Sequence, residues 1–215
     1  MKDMKRVDRW LRLIILISIL GALCMSLADL NGTRNAIAGI PAPKQSPAEG
    51  FVRFELDGYQ MRIGFLYSYD IEGLVVHTKN YTSRSIGDRL GPKDVALAWG
   101  RVAEYNKTID FHWEQANRWV RYRISPEDAE ILGSSGDASL EISNNHLIPA
   151  DMDIRLKIKL IRTGDHVRIK GYLVNADGYN NKTGESFAWH SSTVRTDTGD
   201  GSCEVIYVTD VEWLD

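Results

Sequence analysis

From residue 51 onward, short runs of Val, Ile, Tyr, Phe and Trp alternate with clusters of Gly, Asp, Asn and Pro. Alternation of apolar and polar side chains marks strands with one buried face, because successive side chains leave a strand on opposite sides. The pattern predicts strands at residues 51–56, 60–67, 73–77, 95–103, 118–124, 139–142, 166–175, 187–196 and 203–212. Asp57-Gly58 supplies a turn between the first two. Ser125-Pro126-Glu127-Asp128 starts a short helix ending near Gly133: Ser caps, Pro is tolerated at the first position, and the acids suit the dipole. DMDIRLKIKLIRTG, residues 151–164, alternates as a strand would. Its early acids, later bases and final Gly are helix signals, and we assign it as a helix.

The pattern changes completely upstream. Residues 13–28, LIILISILGALCMSLA, form an uncharged apolar run behind a head at residues 1–12 that nets +3. Such a run enters a membrane. At 16 residues it falls just short of the roughly 17 to 25 that span a bilayer, and it also fits the core of a signal peptide. Ser26-Leu27-Ala28 offers small residues for cleavage, whereas Trp10 and the basic cluster suit a retained helix with a cytoplasmic N-terminus. We expect a retained single-pass anchor in the bacterial inner membrane with the C-terminal domain in the periplasm; a cleaved, periplasmic or secreted chain is the alternative. Residues 29–50, rich in Gly, Pro, Ala and Ser, read as a linker to one β-rich domain at 51–215.

Charge and cysteine content narrow the function classes. The whole chain nets -3, so everything after the basic head nets -6, which argues against a dedicated nucleic-acid binder. Cys24 lies in the apolar run, which leaves Cys203 without a partner for a disulfide within the domain, and we read it as a small buried hydrophobe. The five histidines, His77, His112, His146, His166 and His190, show no metal-ligand spacing, so neither a metal site nor a cofactor is expected. Asp197-Thr198-Gly199 matches the aspartic-protease tripeptide, but charged and polar neighbours on both sides favour a solvated hairpin turn. Asn144-Asn145-His146 interrupts an apolar run and reads as a loop whose amides tie strands together.

GDHVRIKGYLVN, residues 164–175, contains a Gly inside a strand pattern, a mark of the bend or bulge that small closed barrels need. The phrase is similar to the Gly-Asp-x-Val-x-Ile/Leu-x-Gly strand of bacterial oligonucleotide/oligosaccharide-binding (OB) barrels. Together with ISNNHLIPA (142–150) and SSTVRTDTGDGSCEVIYV (191–208), it resembles a group of uncharacterised bacterial envelope proteins with an N-terminal membrane segment, over residues 95–214. The resemblance implies a location and a compact domain, and no activity. The expected fold is mainly β, with α+β the alternative: a small OB-like barrel or sandwich with one or two short helices.

RWVRYRI, residues 118–124, carries the most suggestive chemistry. In a strand, Val120, Tyr122 and Ile124 face the core, which leaves Trp119, Arg121 and Arg123 on the other side. An indole beside two guanidiniums can stack on a ring and grip carboxylate or phosphate, and Trp189 and His190 are candidates to extend the surface. The expected function is a binding or assembly module for a partner protein or anionic envelope ligand. The rivals are a cell-envelope hydrolase using Asp197 or a Ser/His pair near His190, and a single-stranded nucleic-acid binder.

Overall fold

The structure, a computed structural model, describes residues 35–133, 138–194 and 203–214. The run at 13–28 and the tripeptide at 197–199 lie outside them. Among the described residues no helix is long and apolar enough to cross a membrane.

The protein is mainly β, built on one eight-stranded sheet that nearly closes on itself. Its strands are β1 (Lys44–Pro47), β2 (Phe51–Leu56), β3 (Tyr59–Asn80), β4 (Lys93–Ala98), β7 (Ile142–Pro149), β8 (His166–Asn180), β9 (Ser186–His190) and β10 (Glu204–Trp213). A separate two-stranded hairpin comprises β5 (Glu114–Ala116) and β6 (Trp119–Arg121). The helices are α1 (Ile86–Leu90), α2 (Gly100–Tyr105), α3 (Pro126–Leu132) and α4 (Met152–Leu160).

The long strand β3 organises the sheet. One of its sides meets β2, β1 and β4 in turn, all antiparallel, while the other pairs with β8 from Tyr59↔Asn180 to Leu74↔His166. From β4 the sheet continues through β7, then β10 in parallel, then back to β8. Ile71, Leu74, Val95, Leu97, Leu147, Val167, Ile169 and Ile206 are fully buried in the main core. Gly171 permits the close approach of β8 to β10, because a Cβ there would sit 2.0 Å from the Tyr207 carbonyl oxygen. The facing strand shifts register between Val208 and Asp210.

Several predicted elements form as expected. Ser125 accepts from the Asp128 amide and caps α3; Asp151 does the same for α4 through the Ile154 amide. Asp57 and Gly58 both take positive φ between β2 and β3, the twist a two-residue hairpin turn requires.

Other expectations are corrected. Residues 95–103 are not one strand: β4 ends at Ala98, Gly100 takes φ +53, and the Glu141 carboxylate accepts from the Arg101 and Val102 amides to start α2. Residues 138–141 form a 3₁₀ turn instead of a strand. Asn144-Asn145-His146 lies in the middle of buried β7, not in a loop. Of 118–124 only Trp119–Arg121 is strand, and Ser186–His190 is shorter than the 187–196 expected. The folded unit also begins before residue 51, since Ile40 is buried and Lys44–Pro47 pairs with β3.

Lys93 closes α4 from beneath. Buried at 3% exposure, its ammonium donates to the carbonyls of Lys159 and Ile161, which the helix end leaves unpaired. Burial pushes its pKa down from 10.5 to about 8, against the attraction of Asp165. Between these values the unfolded chain holds the proton that the folded chain has released, so this contribution favours folding above pH 10.5 and is lost as pH falls through 8. Comparing urea midpoints of the wild type and Lys93→Met across this window should show the wild type gaining stability with pH by roughly 3 kcal/mol relative to the variant. A constant difference would contradict the assignment.

Candidate functional site

The hairpin β5–β6 turns at Asn117 and Arg118, both at positive φ, 53° and 68°. An arginine in this left-handed conformation costs on the order of 1 kcal/mol or more. The contacts of its side chain explain why it is held there. Nη1 donates to Asp94 Oδ1 at 2.7 Å and to the Gly91 carbonyl at 2.9 Å, and Nη2 donates to Asp88 Oδ1 at 2.6 Å. The guanidinium carbon lies 3.6 Å from the centre of the Tyr81 ring and 5.0 Å from that of Trp189. Its backbone is tied as well: the Arg118 amide donates to the Tyr81 hydroxyl, and Asn144 Nδ2 donates to the Arg118 carbonyl at 2.7 Å.

The floor of this cluster comes from the register of β4 and β7. Asp94 and His146 are paired across the two strands and point to the same face. His146 Nδ1 stands 2.8 Å from Asp94 Oδ1, off the direction a hydrogen bond needs. Trp189 covers them, its ring 4.6 Å from the His146 ring, lying over the space a Cβ on Gly91 would fill. A polar relay continues from Asn144: Gln115 Nε2 donates to Asn144 Oδ1 at 2.6 Å, and Gln115 Oε1 lies 3.0 Å from His77 Nδ1. Asn145 points to the other face and ties itself to the Val95 carbonyl and Ser143. Burial, reinforced by the Asp94 charge, pushes the Tyr81 phenol up to about 12. Burial opposes ionisation of Asp88, but hydrogen bonds from Ser83 and Arg118 prevail and lower its pKa.

Chemically the cluster is a clasp. Arg118, its acidic and aromatic partners and Asn144 together fasten the hairpin turn to the sheet, and the guanidinium is committed to internal acceptors. The surface residues predicted from sequence ride on this fastened hairpin. Val120, Tyr122 and Ile124 pack on the core, as the alternation requires, while Trp119 is half-buried and Arg121 and Arg123 are exposed. Among the described residues neither of these two guanidiniums has a hydrogen-bond or ion-pair partner, although Glu114 stands opposite Arg121 in the hairpin register.

Trp189 and His190 are placed differently. Trp189 is a wall of the clasp, packed on His146 and Phe187, and His190 pairs with Asp177 at 2.8 Å on the neighbouring strand.

Comparison with known proteins finds no relative. No family model, no curated protein and no solved structure matches the chain.

Other candidate chemistry is dispersed. Ser191 Oγ donates to the Ser192 carbonyl and accepts from the Val205 amide, and Ser192 Oγ donates to the Val194 carbonyl. Among the described residues no group of three His, Cys, Asp or Glu is arranged to hold a metal. A shallow open groove of about 330 Å³ includes Lys44, Asp70 and Lys170 in its lining, but Asp70 is held by Arg168 and Lys170 faces Glu212. The Arg168 guanidinium holds the Asp70 carboxyl below its usual range.

Sequence reasoning passed over Arg118 while naming its three neighbours. The available signal was the Asn117-Arg118 pair between two short polar-apolar alternations, a turn position that normally takes Gly.

Proposed function

We propose that the protein is a tethered binding or assembly module of the bacterial envelope. In this reading it is held at the inner membrane by residues 13–28 and uses Trp119, Arg121 and Arg123 to contact an anionic surface of a partner protein or envelope polymer. The observation that carries the reading is the clasped hairpin: two exposed guanidiniums with no partner among the described residues, beside an indole, on a turn fixed by buried charges. Pre-fixing such groups lowers the ordering cost of binding.

The strand pairing supports an OB-like barrel as the frame. β3, β4, β7, β10 and β8 follow one another around the sheet, β7 and β10 are parallel, and α4 lies between β7 and β8 in the chain. In OB barrels the second and third strands, with the first-to-second and fourth-to-fifth loops, form the ligand face. Here those positions correspond to β4, β7, the 81–92 segment and the segment containing Trp189, which is where Arg118 is seated. On this reading the hairpin fills the usual ligand face and moves recognition outward to its own surface. A nucleic-acid ligand stacked on that face would have to displace it.

The test is a double variant, Arg121→Ala with Arg123→Ala, in the full chain. Its thermal midpoint should match the wild type, because both side chains are exposed, and in-cell crosslinking to envelope components should fall roughly tenfold. Unchanged crosslinking with intact folding would remove this face as the contact.

A further inference from the structure

Helix α4 has two apolar faces. Ile154 and Ile158 are buried against the core, whereas Met152, Leu156 and Leu160, each four residues apart, are 67%, 52% and 61% exposed. Residues at this spacing lie one above another along a helix, so the three form a single outward stripe. Four bases and no acid occur from residue 155 to 162: Arg155, Lys157, Lys159 and Arg162. Lys157 is bound to Asp210, Arg155 reaches the Arg89 carbonyl, and Lys159 is exposed. Asp151 and Asp153 are confined to the opposite end of the helix, where Asp151 caps it and Asp153 occupies the first turn.

The position of the chain's entry gives this stripe a direction. The described fold begins at Asn35, whose side-chain amide donates to the Gly164 carbonyl in the loop that follows α4. Trp213, 42% exposed, donates its indole N–H to Asp165 in the same loop. The basic end of α4, an amphipathic indole and the entry point of the tether therefore lie together. From residue 28 to Asn35 the chain spans at most roughly 25 Å when fully extended. A domain attached so closely, whose residues beyond the basic head net -6, has few faces that an anionic surface would accept.

We propose that the outer face of α4 docks on the anionic headgroup layer of the bilayer that holds residues 13–28. Met152, Leu156 and Leu160 enter the headgroup boundary, Lys159 and its basic neighbours meet lipid phosphates, and Trp213 sits at the interface. This rests on the reading of residues 13–28 as a retained anchor. It adds an orientation, in which the loop after α4 faces the membrane.

The full chain, carrying Leu156→Cys labelled with an environment-sensitive fluorophore in a Cys24→Ser, Cys203→Ser background of verified fold, is reconstituted into phosphatidylethanolamine–phosphatidylglycerol vesicles. Flotation reports the anchor, and quenching by lipid-borne nitroxide reports α4. The proposal expects flotation with loss of most of the emission, and recovery of emission when phosphatidylcholine replaces the anionic lipid or when Lys159→Glu and Arg162→Glu are introduced. A chain that floats while its label stays unquenched overturns the docking and leaves the anchor standing. A label whose emission depends on protein density and not on nitroxide would assign the stripe to a second copy of the chain, again overturning it. A chain that fails to float overturns the anchor reading and the docking with it.

Discussion

Arg118→Ala is expected to destabilise the protein by about 3–5 kcal/mol, as removal of one partner from a buried ion pair generally does. Asp94 is fully buried and would keep only its contacts with His146 and the Tyr81 hydroxyl, while Asp88 would lose its guanidinium partner. The loss has a local signature as well. The amides of Ala116 and Trp119 in the hairpin should lose protection from hydrogen exchange before the sheet does, because the turn would keep its backbone bonds to Tyr81, Asn144 and Cys203 but not its side-chain clasp. Arg118→Gly separates two contributions. Glycine removes the cost of φ 68°, so it should be milder than alanine by on the order of 1 kcal/mol yet still far below the wild type. Urea unfolding of the two variants measures this; a glycine variant as stable as the wild type would mean that the side-chain clasp does no more than offset the backbone cost of φ 68°.

Gly171→Ala should be at least as damaging. The added methyl would lie 2.0 Å from the Tyr207 carbonyl oxygen, 2.9 Å from its carbon and 3.1 Å from Val208 Cα. All three are backbone atoms, so no rotamer change relieves the overlap, and β8 must separate from β10 at the point where the parallel and antiparallel halves of the sheet meet. We expect a loss above about 3 kcal/mol, seen as a thermal midpoint lower by roughly 10 °C or as a failure to fold. Gly178→Ala provides the contrast. Its methyl meets the Met61 sulfur at 2.5 Å, the end of a flexible side chain that can move, so this variant should fold with a much smaller loss. Equal damage from both substitutions would contradict the distinction between backbone and side-chain crowding.

The parts of this fold that were legible in the sequence are those determined locally. The Ser125-Pro126 start of α3, the Asp151 cap of α4 and the Asp57-Gly58 turn each depend on residues within one turn of the chain. Gly171 was readable as the mark of a bend or bulge within an alternating strand pattern, but the close approach that requires it comes from β10, 36 residues away. What could not be read depends on distant partners. Asn144, Asn145 and His146 look like loop residues because three polar side chains in succession rarely enter a core. Here Gln115, Val95 and Asp94 receive them, and none of these is near in sequence. Likewise α2 begins at Gly100 because Glu141 caps it from 40 residues away. Arg118 shows the same limit at the site itself. Its neighbours Trp119, Arg121 and Arg123 were identified by alternation, but a half-buried arginine in a turn is specified only by the acids and rings that surround it.

Retention of residues 13–28 underlies both the proposed tethering and the orientation of α4. It is tested most directly by the intact mass of the native protein recovered from separate membrane and soluble fractions. The account predicts a chain in the membrane fraction that still carries these residues. A soluble chain beginning near Asp29 would contradict it and leave a free periplasmic or secreted domain.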